Sequence, residues 1–426
     1  MTAEVAVMNR IGVALAADSA VTIGHEANKI YTSADKLYQL SNEAPIGVMV
    51  YGNANFVGMP WETIIKSYRR RLGATRFDKA EEYATHLLAY ITDNADLFPT
   101  PLQRRQITML IGYLFVSIRE TFRERLDQEV IKKQGQGLTA ADIPPLAKEV
   151  IDQRLAIIRD SPLIDGFPPE HASKVRQEFS AVINDLQSQV FGTLPLPDET
   201  VQALAECAVE MLLREYFYPL KCGIVIAGFG EKEYTPSLIA YELEELALGL
   251  PRKRVYQRHV IDENSDACIL PFAQKDPVDH FLQGIDEDFA KFMQETASTV
   301  VAGAIDLVLN KMAVVNQAVS DQIRAAAQPE IGDLLQKLFQ EWSNRKERYW
   351  GPVLSVVAAL PKDELAAMGG ALVNLTKFRR RVTPQRETVG GPIDVAVITK
   401  GDGFVWLSRK HYFDPALNPR VMARYR

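Results

Sequence analysis

Cysteine is scarce: Cys207, Cys222 and Cys268 are the only three in 426 residues. They share no ligand-like spacing and cannot all pair, which suits small core residues in a reducing compartment. The histidines His25, His86, His171, His259, His280 and His411 are scattered without metal-ligand spacing. Neither sign of charge dominates, since 48 Lys and Arg face 54 Asp and Glu for a net charge of −6, so nothing points to nucleic acid. Long apolar runs are missing too; the longest, Ile107 to Ile118, falls short of the roughly 20 residues a membrane span needs. The opening segment has neither a basic region nor an apolar stretch of signal-peptide type, because Glu4, Asn9 and Arg10 interrupt it. Gly228-Phe229-Gly230 lacks the Gly-Lys-Ser/Thr ending of a phosphate loop. The expectation is a cytoplasmic protein with no metal, no cofactor, and neither nucleic acid nor membrane as partner.

What is there begins with an alternating apolar stretch, MTAEVAVMNRIGVALAADSAVTIG. Val5 and Val7 alternate with Glu4, Ala6 and Met8, and Asn9-Arg10 offers a turn into Ile11 to Ala17. Leu37 to Leu40 and Ile46 to Tyr51 follow as short strands. From Trp61 to Tyr218 helical spacing takes over, with breaks at Pro99 and Pro101, Pro144-Pro145, Pro168-Pro169 and Pro195. Strands return at Cys222 to Gly228, Leu238 to Leu243 and Val255 to Ile261. Helices fill about 277 to 381, and Ile393 to Thr399 with Phe404 to Leu407 form the last pair. Strands distant in sequence, with helices between them, predict one layered α+β domain over 2–426. Its core strands come from 2–56, 221–262 and 389–413, with helical insertions at 76–218 and 276–385.

Thr2 is a candidate nucleophile. If Met1 is removed, one residue carries both a hydroxyl and its own α-amine. Such an amine titrates near 8, so at neutral pH part of it is a free base able to take the hydroxyl proton. A positive charge nearby would favour the ionised hydroxyl, and a carboxylate would hold that charge in place. Asp18 follows the apolar end of the second strand, and Lys36 opens Leu37 to Leu40. Gly52 sits at a strand end, where a bare backbone N–H can approach an oxyanion. Taken singly these residues read as structural: a start residue, a strand cap, an edge lysine and a turn glycine. Lys29, ahead of Ile30-Tyr31, competes with Lys36; the longer apolar stretch behind Lys36 favours it. Basic clusters at Lys66 to Arg71 and Lys377 to Arg381 read as solvated helix ends.

In their order these pieces resemble the proteasome β-subunit family, including the peptidase subunit of the HslV-type protease. In that family a mature N-terminal Thr opens the first strand and a G/S-D-x-x-x-T motif ends the second. A lysine starts the third strand and an A-G-G-type turn follows the fourth. Here the matching pieces are Thr2, Ala17-Asp18-Ser19-Ala20-Val21-Thr22, Lys36 and Tyr51-Gly52-Asn53. Ala227-Gly228-Phe229-Gly230 and Val389-Gly390-Gly391 resemble later family turns. The family's Asp and Ser before the paired glycines are replaced by Arg386 and Val389, with Glu387 and Thr388 as stand-ins. Its mid-chain serine has no evident counterpart; Ser265 and Gln274 are the nearest candidates.

The resemblance implies a four-layer αββα N-terminal-nucleophile hydrolase fold. It implies a threonine-type peptidase or amidohydrolase acting on a peptide or small amide, with Thr2, Asp18, Lys36 and Gly52 in the site. It implies a homo-oligomer, and an ATP-dependent unfoldase as a partner. Two other outcomes stay open: a non-peptidase amidohydrolase with a pocket walled by the insertions, and an inactive scaffold that binds a partner protein, which the Arg386 and Val389 departures favour.

Overall fold

The computed structural model describes residues 2–23, 29–94, 96–132, 137–218, 221–284, 287–313, 317–384 and 389–423. In chain order the strands β1 (Ala3–Asn9), β2 (Gly12–Ala17), β3 (Val21–Ile23), β4 (Lys29–Tyr31), β5 (Leu37–Gln39) and β6 (Ile46–Gly52) come first. A minimal ribbon, β7 (Asn55–Phe56) and β8 (Met59–Pro60), leads into six helices. These are α1 (Trp61–Leu72), α2 (Ala80–Asp93), α3 (Thr100–Lys132), α4 (Ile143–Asp160), α5 (His171–Phe191) and α6 (Asp198–Leu213). Then follow β9 (Cys222–Gly228), β10 (Ser237–Ala247), β11 (Leu250–Val260) and β12 (Ala267–Ala273). The helices α7 (Asp276–Gln283), α8 (Glu287–Ala313), α9 (Gln317–Ala359) and α10 (Lys362–Val382) precede β13 (Asp394–Thr399) and β14 (Gly403–Ser408). The class is mixed α+β, and the chain divides into two compact units: Met1–Leu37 with Val260–Arg426, and Tyr38–His259.

The first unit holds a sheet of order β12-β1-β2-β13-β14 in which every neighbouring pair is antiparallel. Strand alternation sorts β1 into two faces. Ala3, Val5 and Val7 join Ala14, Ala16, Val395 and Val397 in a core with Leu365, Leu372 and Val373 of α10 and Val357 of α9. On the other face one row runs Phe272, Glu4, Ala17, Asp394 straight across four strands. Asn9 makes the β1–β2 turn: its side-chain oxygen accepts from Ile11 N–H at 2.9 Å, and its amide donates to the carbonyls of Val357 and Leu360 at the end of α9.

The second unit holds a sheet of order β11-β10-β9-β6-β5, with β10–β9 and β6–β9 antiparallel. Ile46, Val48, Val50, Ile224 and Ile226 pack with Trp61, Ile64, Ile65 and Tyr68 of α1 and Tyr83, Leu87 and Ile91 of α2. Helices α3 to α6 enclose a second core, built on Ile107, Leu110, Ile111, Leu114 and Ile118 against α4, α5 and α6. Every proline break expected there falls at a helix start or in the loop before one. Arg252 of β11 is fully buried, pairs with Glu244, and donates to the carbonyls of Met211, Leu212 and Tyr216.

Two features were not expected. Strand β12 carries Pro271 in its middle, which reads as a strand breaker; it is an edge strand of its sheet, where a proline is tolerated. Within α8, Phe289–Lys311 has mean hydropathy 1.2 and is long and apolar enough to cross a membrane by length and composition, although its unbroken apolar runs, such as Val300 to Ile305, are short.

Candidate active site

Thr2 continues the β1 ladder by one hydrogen bond: Gln274 N–H, just past β12, donates to its carbonyl at 3.2 Å. The residue is buried, and alternation puts its side chain on the face of Glu4 rather than on the helix-packed face of Ala3. On the other side Asp18 N–H donates to Ala3 C=O at 3.1 Å, and Ala3 N–H returns a bond to Asp18 Oδ1 at 3.0 Å. The peptide that follows Thr2 is therefore fixed by the carboxylate itself.

Asp18 accepts four bonds. Oδ1 takes Ala3 N–H and the Lys36 ammonium, the latter at 2.6 Å; Oδ2 takes Ala20 N–H and Gly390 N–H, each at 3.0 Å. A carboxylate shut away from water needs this many donors, because each unpaired lone pair would carry its desolvation cost. The Gly390 donor depends on its neighbour. Gly391 has φ +77°, and a Cβ there would lie 2.8 Å from Thr32, so only glycine lets the chain turn beside Ser19. Ser19 N–H donates to Gly390 C=O at 3.1 Å and its hydroxyl to Pro392 C=O at 2.6 Å, closing the loop.

Lys36 stands just ahead of β5, its side chain 8% exposed and paired with the fully buried Asp18 carboxylate. Burial pulls its proton affinity below the usual lysine range; the Asp18 charge and hydrogen bond, then Glu4, oppose this, and Lys410 adds to it. Lys29 lies exposed in β4, paired in register with Ile23, so Lys36 is the lysine that reaches Asp18.

The structure thus brings Thr2, Asp18 and Lys36 together within one unit. Gly52 ends β6 in the other unit, with φ +79° and a would-be Cβ 2.5 Å from Lys221 O, so the backbone there demands glycine. Ser265 turns with Asp262 beyond the Asn9 end of β1, the far end of that strand from Thr2; its candidacy gives way to Gln274. Val389 is buried in the apolar core under the sheet. Met1, Arg386, Glu387 and Thr388 lie outside the described residues.

Sequence reasoning missed two participants. Gly390 donates to Asp18, and the sequence showed it only as part of a segment resembling a later family turn. Glu4 was read only as the polar member of an alternating strand. It is buried, and among the described residues neither of its carboxyl oxygens has a hydrogen-bond partner. Burial pushes its carboxyl well above the usual carboxylate range, Lys36 pulls it down and Asp18 pushes it up. Two strands along the same row, Asp394 pairs with Lys410, which also reaches Asp35 at 3.1 Å.

No protein-family model and no curated protein matches this chain. Solved structures do. An Anbu (Gly-1) mutant from Hyphomicrobium sp. strain MC1 matches over 100% of this chain and 93% of its own, with 10% identity and a TM-score of 0.28. Anbu (ancestral beta-subunit) from Yersinia bercovieri matches over 99% and 91%, with 10% identity and a TM-score of 0.27. These neighbours correct the resemblance drawn from the sequence: they are Anbu proteins, distinct from the proteasome β-subunit and HslV-type family. Membership of that family does not stand. At this level of similarity the neighbours carry no argument about activity.

Proposed function

We propose that the chain is an amide hydrolase whose nucleophile is Thr2, working with a free α-amine. One observation carries this reading: a single buried carboxylate, Asp18, binds both the peptide of Thr2-Ala3 and the ammonium of Lys36. Three backbone N–H groups already serve that carboxylate, and the buried Lys36 ammonium shares its Oδ1 with Ala3 N–H. In the reaction Thr2 Oγ attacks the carbonyl carbon and its proton passes to the α-amine. The amine then gives that proton to the leaving nitrogen as the C–N bond breaks, and water hydrolyses the Thr2 ester by the same route. Lys36 lowers the proton affinity of the hydroxyl, and Asp18 aims Lys36. Substrates are peptides or small amides.

The test is chemical. Active protein should have a mass lacking Met1, so that Thr2 carries the amine. A variant with one large residue inserted between Met1 and Thr2 keeps the hydroxyl but converts the nitrogen to an amide, which is no base. Its hydrolysis of a peptide and small-amide panel should fall to the level of Thr2→Ala, a loss on the order of 10²-fold or more. Full activity in the extended chain, its extension verified by mass, would refute the reading.

A further inference from the structure

We infer that Lys410 is a positioning residue for Lys36: it ties Asp35, the residue before Lys36, to Asp394, which lies across from the last residue of β2, and so holds Lys36 against Asp18. The inference rests on the hydrolase reading only for its effect at Thr2.

Lys410 follows β14 by two residues and is not an ordinary surface lysine. Its backbone N–H donates to Asp394 Oδ1 at 2.8 Å and its ammonium pairs with Asp394 Oδ2, so one carboxylate grips both ends of the residue. The Lys410 side chain is 10% exposed and that of Asp394 3%. Pinned in this way, the ammonium also reaches Asp35 at 3.1 Å, and two carboxylates from distant segments meet at one cation. The links close a circuit. Asp394 is paired in register with Ala17, Ala17 precedes Asp18, Asp18 takes the Lys36 ammonium at 2.6 Å, and Lys36 follows Asp35. Every member belongs to one unit. The chain ahead of Lys36 has another anchor, since Ala34 N–H donates to Ser19 C=O at 3.1 Å. That bond leaves the dihedrals of Asp35 and Lys36 to turn, two soft torsions for each residue. The ion pair with Lys410 restrains the first.

A charge helps a developing alkoxide most when it is already in place and needs no reorganisation during the reaction. With the circuit intact, Asp18 holds the Lys36 ammonium and Lys410 holds the backbone from which that side chain extends. Opening the circuit at Asp35 leaves the Asp18–Lys36 pair made but lets its backbone end shift, so Thr2 loses rate rather than substrate binding. The size of the effect is bounded. The Asp35 side chain is 36% exposed, and a part-exposed ion pair shifts an equilibrium by about two- to fivefold.

Two measurements test this. In brief acetylation with N-hydroxysuccinimidyl acetate, read by peptide mass, labelling of Lys36 relative to the exposed Lys29 should rise about two- to fivefold in Asp35→Asn. It should return to the native level in Asp35→Glu, and both variants should melt close to the native chain. Lys410→Gln should raise Lys36 labelling as well, and Asp35→Asn should add nothing on top of it. An unchanged Lys36 rate in Asp35→Asn overturns the inference, and so do two changes that multiply; should Lys410→Gln not fold, the Asp35 variants decide alone. The second measurement is acylation of Thr2 by a β-lactone, read as intact mass gain. Thr2 Oγ bonds to the lactone carbonyl carbon as the ring C–O bond breaks, and the hydroxyl proton ends on the ring oxygen. The limiting rate should fall about two- to fivefold in Asp35→Asn and recover in Asp35→Glu, with the half-saturating lactone concentration unchanged. An unchanged limiting rate, where the native chain is acylated, overturns the inference. If Thr2 is never acylated while Lys36 labelling responds to Asp35 and Lys410, the hydrolase reading fails and the bridge stands.

Discussion

Consider Asp18→Asn, which keeps the size of the side chain and removes its charge. The carboxylate takes two donors on each oxygen. An asparagine has one oxygen, so its NH₂ must face either Ala20 N–H and Gly390 N–H, or Ala3 N–H and the Lys36 ammonium. Both orientations abandon two donors, and Lys36 is left as a buried charge with its partner gone. Breaking a buried pair from one side costs about 3–5 kcal/mol, and each abandoned N–H about 1–3 kcal/mol; since these do not simply add, about 4 kcal/mol or more is expected. Lys36→Met leaves Asp18 with three backbone N–H donors and should cost only about 1–3 kcal/mol. The double variant should be more stable than Asp18→Asn alone, because the stranded ammonium is gone. Urea unfolding of the four proteins measures all of this. Should Lys36→Met prove as damaging as Asp18→Asn, or the double variant the worst of the set, the backbone donors are not what anchors the carboxylate and the reasoning fails.

The remaining expectations are briefer. Lys36→Ala should lower hydrolysis on the order of 10²-fold, whereas Lys29→Ala, an exposed lysine of β4, should leave it unchanged; equal effects would undo the lysine assignment. Because the Glu4 carboxyl is raised in the folded chain, its contribution to stability is present in full below its unfolded value and is lost as pH rises toward the folded one. Glu4→Gln should accordingly gain on the native chain through that window by up to about 1.4 kcal/mol per pH unit, and pH-independent melting differences would contradict it. Gly52→Ala should destabilise by about 1–3 kcal/mol through its clash with Lys221 O, more than Gly73→Ala, which has φ +55° but nothing within 4 Å; matching losses would mean that φ alone matters.

The hairpin of β1 and β2 was legible because Val5 and Val7 alternate and Asn9 supplies a turn, and Lys36 because an apolar strand follows it. Strand β12 was hidden by Pro271, whose cost depends on whether a strand is central or an edge, and that is settled only when distant segments pair. The apolar character of α8 is spread by composition, so a search for unbroken runs passes over it. The Gly390 bond to Asp18 spans 372 positions, and no local pattern encodes such a distance. Glu4 is the most instructive miss. Alternation is a two-state code, and it assigns a charged residue to a solvent face by default. All seven residues of β1 are buried, so in this strand neither face is wet. A carboxyl at position 4 then has no solvent to turn to. It must find donors or keep its proton, and without donors the same residue that looked like surface patterning becomes a titratable group beside the site.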